Sequence, residues 1–240
     1  MTASHFRHRT VCVSFSGIDG AGKSTQIDAL RNAAEQAGLS VRQIRFWDDV
    51  ALLTRLRESS GHTLFKGDKG IGSPERPIVR RDKNVRTRPM ACVRLFLYGL
   101  DAWAARRAFR SALRSTADLV IFDRYVYDEL ANLELGNPFM RWYAKRITLL
   151  VPRPEVAYIL DADPAQARSR KPEYPLEFIH VNRQSYLRLS RILGGMTVIP
   201  PLPLEEVGRE VLRHALKVLA IEARPLDLAG AGSAMQKTAS

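Results

Sequence analysis

Five short apolar runs punctuate the chain, at residues 10–16 (TVCVSFS), 41–46 (VRQIRF), 119–122 (LVIF), 156–160 (VAYIL) and 196–199 (MTVI). Their length and their polar or glycine-bearing borders predict buried strands. Between them apolar positions recur at helical spacing. Residues 23–37 carry Ile27, Leu30 and Ala34 on one face, and 90–115 carry Val93, Leu97, Leu100, Ala104 and Ala108. Residues 175–193 carry Phe178, Val181, Tyr186, Leu189 and Ile192, and 204–220 carry Val207, Val211, Leu212 and Leu219. Strands alternating with helices predict an α/β fold, a parallel sheet with helices on both faces. The sequence has no internal repeat.

Two segments interrupt this pattern. Residues 61–89 are rich in Gly, Pro and charge: eight Lys or Arg (66, 69, 76, 80, 81, 83, 86, 88) against Asp68, Glu75 and Asp82, 8 − 3 = +5 net. A structureless loop of that length inside a domain is either functional or mobile. Residues 226–240 are mostly small and polar and read as a flexible tail, leaving 1–225 as one domain.

Composition narrows the class. With 240 residues, 45% hydrophobic, 15 Gly and 13 Pro, the chain is neither disordered nor collagen-like. It contains no apolar run near the roughly 18 residues that span a bilayer, and its start, MTASHFRHRT, lacks the apolar core of a signal peptide. Cys12 and Cys92 lie in apolar surroundings and read as buried free thiols, in keeping with a cytoplasmic protein. The net charge, 37 − 25 = +12, serves either solubility or an anionic partner such as nucleotide phosphates. Without a helix-turn-helix, RNA-recognition or zinc pattern, nucleic acid is not the expected partner.

The strongest signal is GIDGAGKS at 17–24, followed by Thr25, a full match to G-x-x-x-x-G-K-[ST] between a strand and a helix. Gly17, Gly20 and Gly22 allow the tight turn, so that the backbone N–H groups of Gly20, Ala21, Gly22 and the following residues converge on phosphate oxygens. The helix adds its positive N-terminal end. Lys23 is a cation for the β- and γ-phosphates, and the Ser24 hydroxyl can ligate Mg²⁺.

A second element, DLVIFDRY at 118–125, ends an apolar strand in Asp123 and Arg124. Ligands of open parallel sheets bind beyond the carboxyl ends of strands, where Asp123 can serve Mg²⁺ and Arg124 offers a fork to phosphate. A third, LDADPAQARSRK at 160–171, has Asp163 as a helix cap and Pro164 as the first helical residue, then Arg168, Arg170 and Lys171 within four positions. These cations either fold over a transferring phosphoryl group or form a solvated basic face.

In this order and spacing, the stretches FSGIDGAGKST, IFDRY, LDADPAQARSRK and NRQSYLRL resemble the thymidylate kinase family of nucleoside monophosphate kinases, over about residues 11–200 and patchily between 47 and 90. The resemblance implies a P-loop NTPase fold with a five-stranded parallel sheet. It also implies ATP as donor, Mg²⁺ as cofactor, and a nucleoside monophosphate, dTMP, as acceptor. It implies donor-phosphate binding by Lys23, metal binding by Ser24 and Asp123, and Asp19 facing the acceptor's sugar and phosphate. Arg124 would grip the acceptor phosphate and Arg45 resembles a second such arginine. A lid at 168–175 would supply the catalytic Arg170. Tyr98 falls where an aromatic stacks on the base, or else is a core residue; Asp101 and Tyr125 also match acceptor-site positions. Family members are often homodimers, and the apolar face of helix 90–115 serves either that contact or the core.

The chain departs from the family where the base is read. Ala102 stands in place of an arginine, Phe46-Trp47-Asp48 in place of Glu-Pro-Gly, and Val126-Tyr127-Asp128 where a Ser is common. Ala102 and Asp128 therefore also admit another small phosphorylated acceptor, because loss of hydrogen-bonding groups changes selectivity first. Trp47 either lines the acceptor site or packs.

Overall fold

The computed structural model describes residues 10–50 and 88–222. Strand β1 (Val11–Gly17), buried along its whole length, runs through the centre of a five-stranded sheet. With β2 (Val41–Arg45), β3 (Leu119–Asp123), β4 (Val156–Leu160) and β5 (Thr197–Ile199) the order is β2-β3-β1-β4-β5, every neighbouring pair parallel. Burial follows place in the sheet. The three central strands, covered on both faces, are the continuous apolar runs; the edge strand β2 exposes Arg42 and Arg45 and buries Ile44.

Helix α1 (Lys23–Gln36) follows β1, and its Ile27, Leu30 and Ala34 are buried as predicted. A five-residue π-helical turn, Phe46–Val50, follows β2. Helix α2 (Arg88–Leu113) buries Ala104 of the expected face, but most of its buried side chains lie beside that face. Tyr98, Asp101, Ala102, Ala105, Phe109 and Ala112 are buried, while Val93 is 52% exposed. An alanine seam lets the helix lie close to the sheet, where Phe109 stacks on Phe122 at 5.6 Å; a search for large apolar residues overlooks such a seam. Cys12 is buried, but Cys92 is exposed on the outer side of α2, against expectation.

Two helices were not foreseen: α3 (Val126–Leu130), barely more than one turn, and α4 (Pro138–Leu150). The latter carried its own signal, Asn137 as cap accepting from the Phe139 N–H at 2.8 Å and Pro138 as first residue. Helix α5 (Pro164–Arg170) starts as predicted, with Asp163 accepting from the Gln166 N–H at 3.0 Å. In α6 (Leu176–Leu193) Ile179, Tyr186 and Leu189 face inward and Val181 is 62% exposed, contrary to its expected place. In α7 (Leu204–Glu222), Val207, Val211, Ala215 and Leu219 are buried, and Val211 O accepts from the Tyr158 hydroxyl of β4. The basic segment 61–89 lies outside the described residues except for Arg88 and Pro89, which open α2, and the tail 226–240 lies wholly outside.

Parallel registers bring the strand ends together. Phe15 of β1 and Arg45 of β2 both pair with Asp123, and Gly17 pairs with Leu160. The loops carrying the predicted chemistry all leave this edge.

Candidate active site

The loop after β1 is built around two glycines. Gly17 has φ 142° and Gly20 φ 82°; a Cβ on Gly17 would collide with Leu160 O, and one on Gly20 with Ala167 O of α5. Gly22 caps α1 in the left-handed region. The first intrahelical bond runs from the Gln26 N–H to Gly22 O at 3.1 Å, so the N–H groups of Lys23, Ser24 and Thr25 have no acceptor within the helix. They form, with the loop, a site for an anion.

Lys23 folds back into this loop. Its ammonium, 7% exposed, donates to Gly17 O at 2.9 Å and Ile18 O at 2.8 Å and lies 4.0 Å from Asp19 Oδ1. Burial, reinforced by the Arg124 guanidinium and opposed by Asp19 and Asp128, lowers its pKa to about 8. A cation held at the cost of its own hydration is poised for a phosphate.

Arg124 is the only non-glycine residue with positive φ among the described residues, at 69°. Such strain persists where the surroundings fix it and clusters at functional sites. Its N–H extends the ladder to Phe15 O at 3.0 Å, and Nη2 donates to Asp19 Oδ1 at 2.5 Å and Nη1 to Asp128 Oδ1 at 3.2 Å. Burial pushes the Asp19 carboxyl up, but Arg124 and then Lys23 override it and hold it at about 2. Asp128 and Asp19 outweigh burial at Arg124 and raise its pKa, so the guanidinium stays charged. Asp19 thus bridges the phosphate loop and the end of β3.

Ser24 is exposed in the first turn of α1. The Asp123 carboxylate, at the end of β3, has no side-chain hydrogen bond to a described residue, and burial pushes it up despite Arg124 and Lys23. A hydroxyl and a desolvated carboxylate fit Mg²⁺, which takes one or two protein oxygens and fills its octahedron with phosphate and water. Among the described residues no group of three His, Cys, Asp or Glu side chains could hold a metal.

On the lid side, Arg170 Nη1 donates to Gly20 O at 3.3 Å. Lys171 pairs with Glu173 at 3.4 Å and contributes to the low pKa of Asp19. Arg183 of α6 clamps Asp161 at the end of β4 with two bonds, 2.6 and 2.7 Å. Gly17, Asp19, Gly20, Ala21, Gly22, Lys23, Ser24, Thr25, Asp123, Arg124 and Arg170 therefore surround one sheet edge. Arg45 reaches the same edge with an exposed side chain, 3.9 Å from Asp48.

Other expected positions are buried. The Tyr125 ring, 1% exposed, packs against Phe109, Phe122 and Tyr127, and its hydroxyl donates to Pro152 O at 2.7 Å; it belongs to the core rather than the acceptor side. Tyr98, Asp101 and Ala102 are buried in α2. Asp128, read as a mark of a changed acceptor, turns inward, 3% exposed. Ser16, Arg183 and Tyr186 fall inside FSGIDGAGKST and NRQSYLRL, but the motifs gave them no role, and Asp128 was read for selectivity rather than as a partner of Arg124. An Asp within a short turn and a Tyr on a helix carry no spacing signature, and only the fold brings them together.

No family model matches the chain. The probable thymidylate kinase of Methanosphaera stadtmanae is 24% identical over 208 residues, covering 85% of this chain and 96% of that protein. That of Pyrococcus abyssi is 27% identical over 211 residues, 83% and 93% of the two chains. The thymidylate kinase of Bifidobacterium longum strain DJO10A is 29% identical over 161 residues, 66% and 69%.

Proposed function

We propose, from this kinship with thymidylate kinases over most of the chain, that the protein transfers the γ-phosphoryl group of ATP to the phosphate of dTMP, giving dTDP and ADP. The observation that carries the reading is the Asp19–Arg124 pair, which sets an anion-gripping guanidinium beside the phosphate loop that holds the donor.

An oxygen of the acceptor phosphate bonds to the γ-phosphorus as the bond from that phosphorus to the β–γ bridging oxygen breaks. The acceptor is itself an anionic nucleophile near neutral pH, so the protein's task is alignment and charge neutralisation. The N–H groups at the start of α1 and the Lys23 ammonium take the donor phosphates. Arg124, with Arg45 at the next strand end, takes the acceptor phosphate, and Asp19 orients Arg124. Arg170 neutralises charge that spreads onto the equatorial oxygens. Ser24 and Asp123 would hold Mg²⁺, whose bound form supplies charge neutralisation at the β- and γ-phosphates.

We take residues 1–225 as one catalytic unit and 168–175 as its lid. Tyr98 and Asp101 bound the base pocket from α2. The apolar side chains on the outer side of α2 and α4, Phe96 (66% exposed), Trp103 (57%), Phe139 (52%) and Trp142 (51%), are assigned to a homodimer contact. The two helices lie against each other, with the Tyr143 hydroxyl donating to Leu95 O and Arg106 to Leu150 O. Two free cysteines, one exposed, fit the reducing cytoplasm, and no described helix is long and apolar enough to cross a membrane. Release of ADP from ATP in the presence of dTMP tests the reading; substitution of other monophosphates tests the base.

A further inference from the structure

We propose that Asp128 is a positioning residue for Arg124, and that Tyr186 ties this positioning to helix α6. The inference rests on the phosphoryl-transfer reading for what Arg124 holds.

Asp128 Oδ1 accepts from the Tyr186 hydroxyl at 2.8 Å and from Arg124 Nη1 at 3.2 Å. Its Oδ2 accepts from the Ser16 hydroxyl at 2.6 Å and the Tyr125 N–H at 3.2 Å. The four donors come from β1, the β3–α3 turn and α6. A buried carboxylate has to be paired and hydrogen-bonded, and two donors on each oxygen use its accepting capacity. Asp128 therefore has no part left for an acceptor's base or sugar. What it determines is the place of Arg124.

Arg124 requires such support. Its backbone lies in a region that L side chains rarely adopt, and its side chain has many rotamers to lose. Asp19 on Nη2 and Asp128 on Nη1 hold the fork by its two tips, using two of its five N–H donors and leaving three for phosphate. The two anchors differ in kind. Asp19 sits in the phosphate loop, 25% exposed; the Asp128 side chain is 2% exposed and is joined to α6. Helix α6 begins at Leu176, directly after the segment 168–175. One oxygen, Oδ1, thus serves both Tyr186 and Arg124, so a displacement of α6 with the lid is felt at the guanidinium.

The test is a double-mutant cycle of Asp128→Asn and Tyr186→Phe in the full chain, with ATP and dTMP, alongside the thermal unfolding of each variant. Asp128→Asn should lower kcat/KM for the acceptor by about a hundredfold, the scale of a misplaced reacting group, and leave the KM for ATP unchanged. Tyr186→Phe should lower it by about tenfold, as for one hydrogen bond to a charged group. The double variant should be no worse than Asp128→Asn, because Tyr186 acts through Asp128. In protein carrying ¹⁵N-arginine and no substrate, the Arg124 guanidinium resonance, identified by its loss in Arg124→Lys, should be sharp in wild type and exchange-broadened in both single variants.

Full additivity of the two substitutions, wild-type acceptor kcat/KM in Asp128→Asn, or an unmoved Arg124 resonance would each overturn the proposal. If Asp128→Asn fails to fold, Tyr186→Phe, which removes only a hydroxyl, decides it by the same resonance. A wild-type protein inert toward dTMP would remove the functional reading alone, and the resonance would still decide the positioning.

Discussion

The guanidinium of Arg170 donates to Gly20 O at 3.3 Å, so the C-terminal end of α5 rests on the phosphate loop. Ala167 O of the same helix lies where a Cβ on Gly20 would have to go. The phosphate loop and α5 are thus in contact at backbone level. A finger-type arginine contributes about 10³–10⁵ in rate, so Arg170→Ala should lower kcat by that order. The residue is exposed and, among the described residues, its guanidinium bonds only to a carbonyl, so the unfolding temperature should stay close to wild type. Wild-type turnover in this variant would move the role to Arg168 or Lys171.

Lys23 gives the protein a pH dependence with a defined sign. With its pKa lowered to about 8 by burial and Arg124, the free loop loses its cation above that pH, whereas bound triphosphate holds the proton on. ATP affinity should therefore fall above pH 8, approaching about tenfold per pH unit for a single linked proton. For folding the sign is reversed. Between about 8 and the ordinary 10.5 the unfolded chain binds more protons at this site than the folded one, so the site's contribution to stability rises with pH. Titration calorimetry of ATP across pH 7–10 checks the first, and Lys23→Arg should flatten the profile.

Much of this was legible in the sequence. The five strands lie within a residue or two of their apolar runs, and the phosphate loop, IFDRY and the Asp163 cap are local patterns that report local geometry. What escaped depends on packing. The buried face of α2 is lined by alanines, which carry little hydrophobic signal, and Tyr125 follows a motif residue yet turns into the core. Asp128 is 112 positions from Ser16 and 58 from Tyr186. Contacts at such separation are made by topology, and no window along the chain contains them.

Two glycine substitutions should move stability in opposite directions. Gly20→Ala imposes a side chain at φ 82° against Ala167 O and should cost about 1–3 kcal/mol, with weaker ATP binding because the loop must shift. Gly99 lies inside α2 at ordinary φ, with no described atom within 4 Å of an added Cβ. Gly99→Ala should stabilise by about 0.5–1 kcal/mol. Thermal unfolding of both variants provides the comparison.

The outer side of α2 and α4 should report on assembly. Trp103 on α2 is 57% exposed and Trp142 on α4 51% exposed. Trp103→Glu should convert a dimer to a monomer in analytical ultracentrifugation while leaving ATP binding intact, since neither residue touches the phosphate loop. An unchanged sedimentation coefficient would place any dimer contact elsewhere.

The most direct measurement is ³¹P NMR of the purified protein with ATP, Mg²⁺ and dTMP, run in parallel with the other nucleoside monophosphates. Appearance of ADP and dTDP in equal amounts, lost in Arg124→Ala and in Lys23→Ala, is the predicted result. A folded wild-type protein that binds ATP yet leaves every monophosphate unchanged would contradict the account.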